Sequence, residues 1–159
     1  MNKFFGFGIT FVAGFLIQTV LASWLPNPLL CPHIVLLMTM AWGLMKGSIV
    51  GESFGLSWGL ALDAMGMTAF GVQGFVLCWA GYLSGIVSRW MNAEETVSQM
   101  VFAFLGSLFY FLGLQFLDHF LGGIGRSMSW GLVLASCLMN VAVAPFVFAF
   151  MQRWIKLCG

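Results

Sequence analysis

The chain has 159 residues, of which 61% are hydrophobic and only 7% charged, and its formal net charge is +1. This composition excludes a water-soluble globule, because too few polar side chains are present to cover its surface. The small net charge and the lack of a basic cluster also argue against a nucleic-acid partner. We therefore interpret the chain as an integral membrane protein.

Its apolar residues come in long blocks without alternation of apolar and polar positions, which predicts spanning helices rather than a β-barrel. The longest polar stretch, residues 92–99, is too short for a soluble domain. We predict one all-α transmembrane domain over residues 1–159. Its six helices are expected at about 4–24, 29–45, 48–65, 70–88, 98–121 and 127–151.

The second apolar segment decides the topology, because it is at the lower limit of length for a span and has Pro32 near its start. If it crosses, Arg126 lies on one side of the membrane and the other cations share the opposite side. Those cations are Lys3, Lys46, Arg89, Arg153 and Lys156. The positive-inside rule therefore favours six spans with both termini in the cytoplasm.

Small residues recur at every fourth position in two of the predicted helices. The two stripes are Gly6, Thr10 and Gly14 in the first helix and Gly51, Gly55 and Gly59 in the third. On a helix, such a stripe is a ridge without large side chains, where another backbone comes close. Packing inside the protein is one interpretation, and contact with a partner's helix is the other.

Three polar residues in the apolar segments require an explanation. Asp63 belongs to the last turn of the third helix, where the helix dipole disfavours a negative charge. In the functional interpretation, Asp63 contacts a partner protein or a bound solute. In the structural interpretation, it caps the fourth helix or pairs with Arg126. Glu52 is expected to pair with Lys46 or with solvent, and Asn140 to make an interhelical hydrogen bond.

Catalytic and metal-binding patterns are missing from the sequence. Ser84 and Asp63 lack the glycine contexts of intramembrane serine and aspartyl proteases, and no His-Glu-x-x-His motif is present. Cys31 and His33 are too few for a metal site, and no Cys-x-x-Cys pair exists. We predict that the protein is not an enzyme and has no cofactor or metal.

Part of the chain resembles a known family. The glycine-spaced third helix ending Gly59-Leu60-Ala61-Leu62-Asp63, the pair Phe70-Gly71, and Gly81-Tyr82-Leu83-Ser84-Gly85 closing on Arg89 are similar to the bacterial rod shape-determining MreD family. The resemblance is firmest over residues 32–89. Two positions differ from the family's pattern: His33 stands where Asp or Asn is expected, and Gln73 where His is frequent.

The resemblance implies a non-enzymatic subunit of the cell-elongation machinery in the bacterial inner membrane. Its expected partners are MreC, which has a single membrane helix, the MreB filament, the glycosyltransferase RodA and its transpeptidase. The family also looks similar in fold to the substrate-binding subunits of energy-coupling-factor transporters. The alternative function is therefore a small-solute-binding subunit, with pocket groups expected at Gln18, Asp63, Gln73, Gln115 and Asp118.

Overall fold

The computed structural model of the protein describes residues 3–24, 31–65, 70–90, 95–121 and 129–158. Within these ranges all the regular secondary structure is helical. Its helices are α1 (Lys3–Trp24), α2 (Ile34–Lys46), α3 (Ser48–Met65), α4 (Val72–Val87), α5 (Thr96–Phe120) and α6 (Trp130–Cys158).

Helix α2 lies at the centre of the bundle and packs against all five other helices. Every residue from Ile34 to Leu44 is buried, which fits a segment that is apolar on all sides. The hydroxyl of Thr39 donates to the carbonyl of Val35 at 2.8 Å and is thereby satisfied within the helix. The short second segment of the sequence is thus the core around which the longer helices pack.

Helices α3 and α4 approach each other backbone to backbone. A Cβ atom added at Gly55 would overlap the carbonyl of Leu77, and one added at Gly51 would lie 2.5 Å from the carbonyl oxygen of Gly81. At the other end of the contact, Gly59 meets Gly74. The α3 glycine stripe therefore packs inside the protein, and the lack of side chains is what permits the contact.

In the described part of the chain, helices α5 and α6 are long and apolar enough to cross a membrane by length and composition alone, over Thr96–Phe120 and Trp130–Lys156. Their outer faces expose large apolar side chains such as Leu105, Leu138 and Phe146. Helices α2 and α4 are shorter apolar helices. The six-span topology and the transporter-like fold accordingly stay predictions.

Two helices differ in extent from the predicted segments. Residues 31–33 are not helical, so α2 begins at Ile34 rather than at 29, and the predicted starts at 29 and 127 lie outside the described residues. Helix α6 continues to Cys158 instead of ending near 151. Its last turns bury Met151 and Ile155 in the core, so packing extends the helix beyond the apolar run.

The α3–α4 contact predicts opposite outcomes for two glycine substitutions. Gly55→Ala is expected to destabilise the protein by about 2 kcal/mol, because the new methyl group forces two backbones apart. Gly8→Ala is the matched control, since nothing lies within 4 Å of its Cβ position, and it gains up to about 1 kcal/mol of helix propensity. Unfolding of both variants in detergent, followed by circular dichroism, measures the difference. Equal stability would contradict the backbone contact.

Candidate functional site

Seven polar side chains connect all the helices within one half of the bundle, towards the end where α2 and α4 begin. They are Gln18, His33, Asp63, Gln73, Ser107, Tyr110 and Asn140, and are called the polar layer below. His33 immediately precedes α2, and the other six residues belong to α1, α3, α4, α5 and α6. We consider the polar layer the candidate site because its side chains form hydrogen bonds between different helices inside the bundle.

Asp63 caps the N-terminus of α4. Its side chain is only 4% exposed. One carboxylate oxygen accepts hydrogen bonds from the backbone N–H groups of Gly71 at 3.0 Å and Gly74 at 2.9 Å, and the other accepts from Gln73 N–H at 3.1 Å. The positive end of the α4 dipole therefore offsets the unfavourable position at the end of α3. This is the capping interpretation of the sequence, whereas Arg126 lies outside the described residues.

Gln73 continues the connection from α4 to α5. Its side-chain oxygen accepts a hydrogen bond from the hydroxyl of Tyr110 at 3.3 Å. The Tyr110 ring packs against the ring of His33, with 4.7 Å between centroids and 57° between planes. The two positions that differ from the expected family pattern, His33 and Gln73, thus contact the same tyrosine.

Asn140 joins α6 to both α2 and α5. Its side-chain oxygen accepts a hydrogen bond from the backbone N–H of His33 at 2.7 Å, and its amide group donates to the hydroxyl of Ser107 at 2.8 Å. Asn140 and Ser107 are completely buried. The predicted interhelical hydrogen bond of Asn140 is therefore present. His33 Nδ1 is also buried, and no described residue is its hydrogen-bond partner.

Polar contacts attach helix α1 to the rest of the bundle. Near one end, the side-chain oxygen of Gln18 accepts from Ile34 N–H at 2.9 Å. Further along, the indole of Trp58 donates to the Phe11 carbonyl at 2.9 Å, and the indole of Trp154 donates to the Thr10 hydroxyl at 2.8 Å. These contacts fix one face of α1 against the bundle, while Val12 and Leu16 on its other side are exposed.

The residues predicted as a partner interface are all buried within this chain. Those residues are Gly6, Thr10, Gly14, Gly51, Gly55, Gly59 and Asp63. A Cβ atom at Gly14 would lie 3.0 Å from Met38 Sδ and from Trp58 Cζ2, so the α1 stripe faces the core as the α3 stripe does. Contact of a partner with these residues stays a prediction.

Glu52 lies on the side of α3 next to α4. It is half-buried, and a hydrogen bond joins it to the thiol of Cys78, while Lys46 is exposed. Across the described ranges, no group of three or more His, Cys, Asp or Glu side chains is placed to hold a metal ion. The polar layer therefore has hydrogen-bonding groups but no described metal-ligand set.

Sequence reasoning named most of the polar layer but missed two members. Ser107 and Tyr110 both belong to the aromatic-rich fifth segment, where neither residue forms a motif. Their spacing of three places them on the same helix face, which was the available signal. Their partners on α4 and α6 are not visible in any local pattern.

The comparison with known families agrees with the resemblance found in the sequence. The profile of the family described as rod shape-determining protein MreD matches residues 1–154 of the chain. The chain belongs to the MreD family. MreD proteins are bacterial membrane proteins that act in rod shape determination and are not known as enzymes. No curated protein and no solved structure matches the chain.

Substitution of Asp63 tests the cap. Asp63→Ala leaves three N–H groups without their acceptor, and each hydrogen bond to a charged group contributes about 1.5–3 kcal/mol, so we expect a loss of at least about 3 kcal/mol. Asp63→Asn keeps one oxygen and is expected to lose less. Asp118→Asn is the control and should change stability by less than about 0.5 kcal/mol, because Asp118 is partly exposed on α5. Thermal unfolding in detergent measures all three variants.

Substitution of Asn140 tests the contacts between helices. Asn140→Ala deprives both His33 N–H and the Ser107 hydroxyl of a partner, which costs about 2 kcal/mol. The control is Ser57→Ala, because the exposed hydroxyl of Ser57 bonds only to the Ser53 carbonyl of its own helix. If both variants unfold at the same denaturant concentration, the hydrogen bonds of Asn140 contribute nothing to stability.

Proposed function

We propose that the protein is a six-helix, non-enzymatic scaffold of the inner membrane that binds MreC and helps direct lateral peptidoglycan synthesis together with MreB, RodA and its transpeptidase. The observation that carries this proposal is the match of the MreD family over residues 1–154. The polar layer supports the proposal, because its side chains bond to other helices of the same chain. A scaffold needs such a fixed arrangement of helices rather than polar groups that are free to bind a ligand.

The solute-binding alternative has less support from the same contacts. Of its five expected pocket groups, Gln18 bonds to the start of α2, Asp63 caps α4, and Gln73 bonds to Tyr110. A solute pocket requires several convergent donors and acceptors that are available to a ligand. These three side chains instead form hydrogen bonds between helices of the same chain.

We place the contact with the single helix of MreC on the exposed face of α3, opposite its glycines. This face contains Ile49, Ser53, Leu56 and Ser57. The hydroxyls of Ser53 and Ser57 bond to the carbonyls of Ile49 and Ser53 at 2.8 and 2.7 Å, so these two small side chains are satisfied within their own helix. In lipid, small residues favour close helix packing, whereas the large apolar residues exposed on α5 and α6 suit lipid contact. Of the two helices predicted to contact a partner, α1 and α3, this proposal keeps α3 and moves the contact from its glycines to its opposite face.

Photo-crosslinking in native membranes tests this proposal. A probe at Ser53 or Ser57 is expected to capture MreC, whereas probes at Leu105 on α5 and Leu138 on α6 serve as equally exposed controls. Capture from the control positions alone would show that the α3 face is wrong. No capture of MreC from any position, together with normal cell shape after depletion of the protein, would contradict the scaffold itself. Capture of a transporter coupling subunit would favour the solute-binding alternative.

A further inference from the structure

Four exposed cations lie at the end of the bundle opposite to the polar layer. They are Lys46, Arg89, Arg153 and Lys156, and are called the basic rim below. Lys46 is in the last turn of α2, Arg89 follows α4, and the other two belong to the last turns of α6. Because α2, α4 and α6 all end at the same side of the bundle, the four charges gather there.

Backbone contacts bring the members of the basic rim near one another. Gly85 on α4 touches the backbone of Gly47 and Ser48, which directly follow Lys46. Arg89 comes one turn after Gly85, so it lies close to the end of α2. On α6, Met151 and Ile155 enter the same core as α2 and leave Arg153 and Lys156 on the exposed side.

Among the described residues, no acid forms an ion pair with the basic rim. Of the acids described near this end, Glu52 is half-buried beside Cys78, and Glu95 accepts a hydrogen bond from the Ser98 hydroxyl at 3.0 Å. In the described part of the protein, neither forms an ion pair with a rim cation. The rim therefore presents positive charge that no described acid neutralises.

The surroundings of these charges match the headgroup level of a membrane. Trp90, next to Arg89, is 86% exposed, and tryptophan favours the boundary between lipid and water. Helix α6 has 29 residues, which corresponds to about 44 Å, so it exceeds a hydrocarbon core of about 30 Å. The helix is therefore long enough to place its charged end outside the hydrocarbon core.

We propose that the basic rim binds the phosphate groups of anionic phospholipids. Charges distributed over the ends of three helices suit several lipid headgroups around the protein better than one acidic protein segment on a single face. Each cation near an anionic surface strengthens binding by about fivefold. This inference is independent of the proposed contact with MreC.

The test compares lipid retention by the purified full-length protein. The protein is incubated in neutral detergent with equal amounts of phosphatidylglycerol and phosphatidylcholine of the same acyl chains, and bound lipids are counted by native mass spectrometry. We expect phosphatidylglycerol to be retained in preference, and the Arg153→Gln/Lys156→Gln variant to lower that preference by at least about fivefold. The Lys46→Gln/Arg89→Gln variant tests the other half of the rim.

Two controls make the result specific. Arg126→Gln removes a cation from the segment between α5 and α6 and is expected to leave the preference unchanged. The Lys46→Arg/Arg153→Lys variant keeps both charges and is expected to keep the preference for phosphatidylglycerol. It therefore separates the effect of lost charge from that of misfolding.

Three outcomes would overturn the proposal. The first is equal retention of both lipids by the unsubstituted protein, or an unchanged preference in both glutamine variants. The second is complete displacement of phosphatidylglycerol by excess inorganic phosphate, which would indicate a site for free phosphate. The third is that a glutamine variant no longer captures an acidic protein partner from native membranes while it still retains phosphatidylglycerol. That result would assign the basic rim to protein binding.

Discussion

The carboxylate of Asp63 has to be satisfied inside the bundle, because it is buried and lies at the negative end of the α3 dipole. The first N–H groups of α4 have the complementary need, since a helix start leaves them without intrahelical acceptors. Their contact fixes the end of α3 to the beginning of α4. From this point the two antiparallel helices pair Gly59 with Gly74 and Gly51 with Gly81, so the cap also sets the register of the glycine contact.

The start of α2 follows the same principle. His33 makes no side-chain capping bond of its own, and the N–H groups of His33 and Ile34 donate to Asn140 on α6 and Gln18 on α1. The starts of α2 and α4 are thus completed by side chains of other helices. Apolar packing is not directional, so it brings helices together without choosing their rotation or height. The hydrogen bonds that the start of α2 donates to Asn140 and Gln18 supply that choice for the central helix.

Local features of the sequence predicted what local physics determines. The interval of four between glycines placed Gly51, Gly55 and Gly59 on one helix face, and the position of Asp63 at the end of α3 made a cap of α4 one of its possible roles. Periodicity says which residues share a face but not which helix covers it. The bond between His33 and Asn140 spans 107 residues, so no window of sequence contains both partners. The length of α6 was missed for a related reason, since tertiary packing of its last turns, not hydropathy, decides where it ends.

The same contacts restrict how a partner can use α3. A helix that docked on its glycines would have to displace α4, which would leave Asp63 and three backbone N–H groups without partners in an apolar environment. New packing against the partner would have to offset that loss as well as the lost contact between the two backbones. Docking against Ser53 and Ser57 removes no hydrogen bond, because both hydroxyls already bond within α3. These contacts therefore favour the serine face over the glycine face for the proposed contact with MreC.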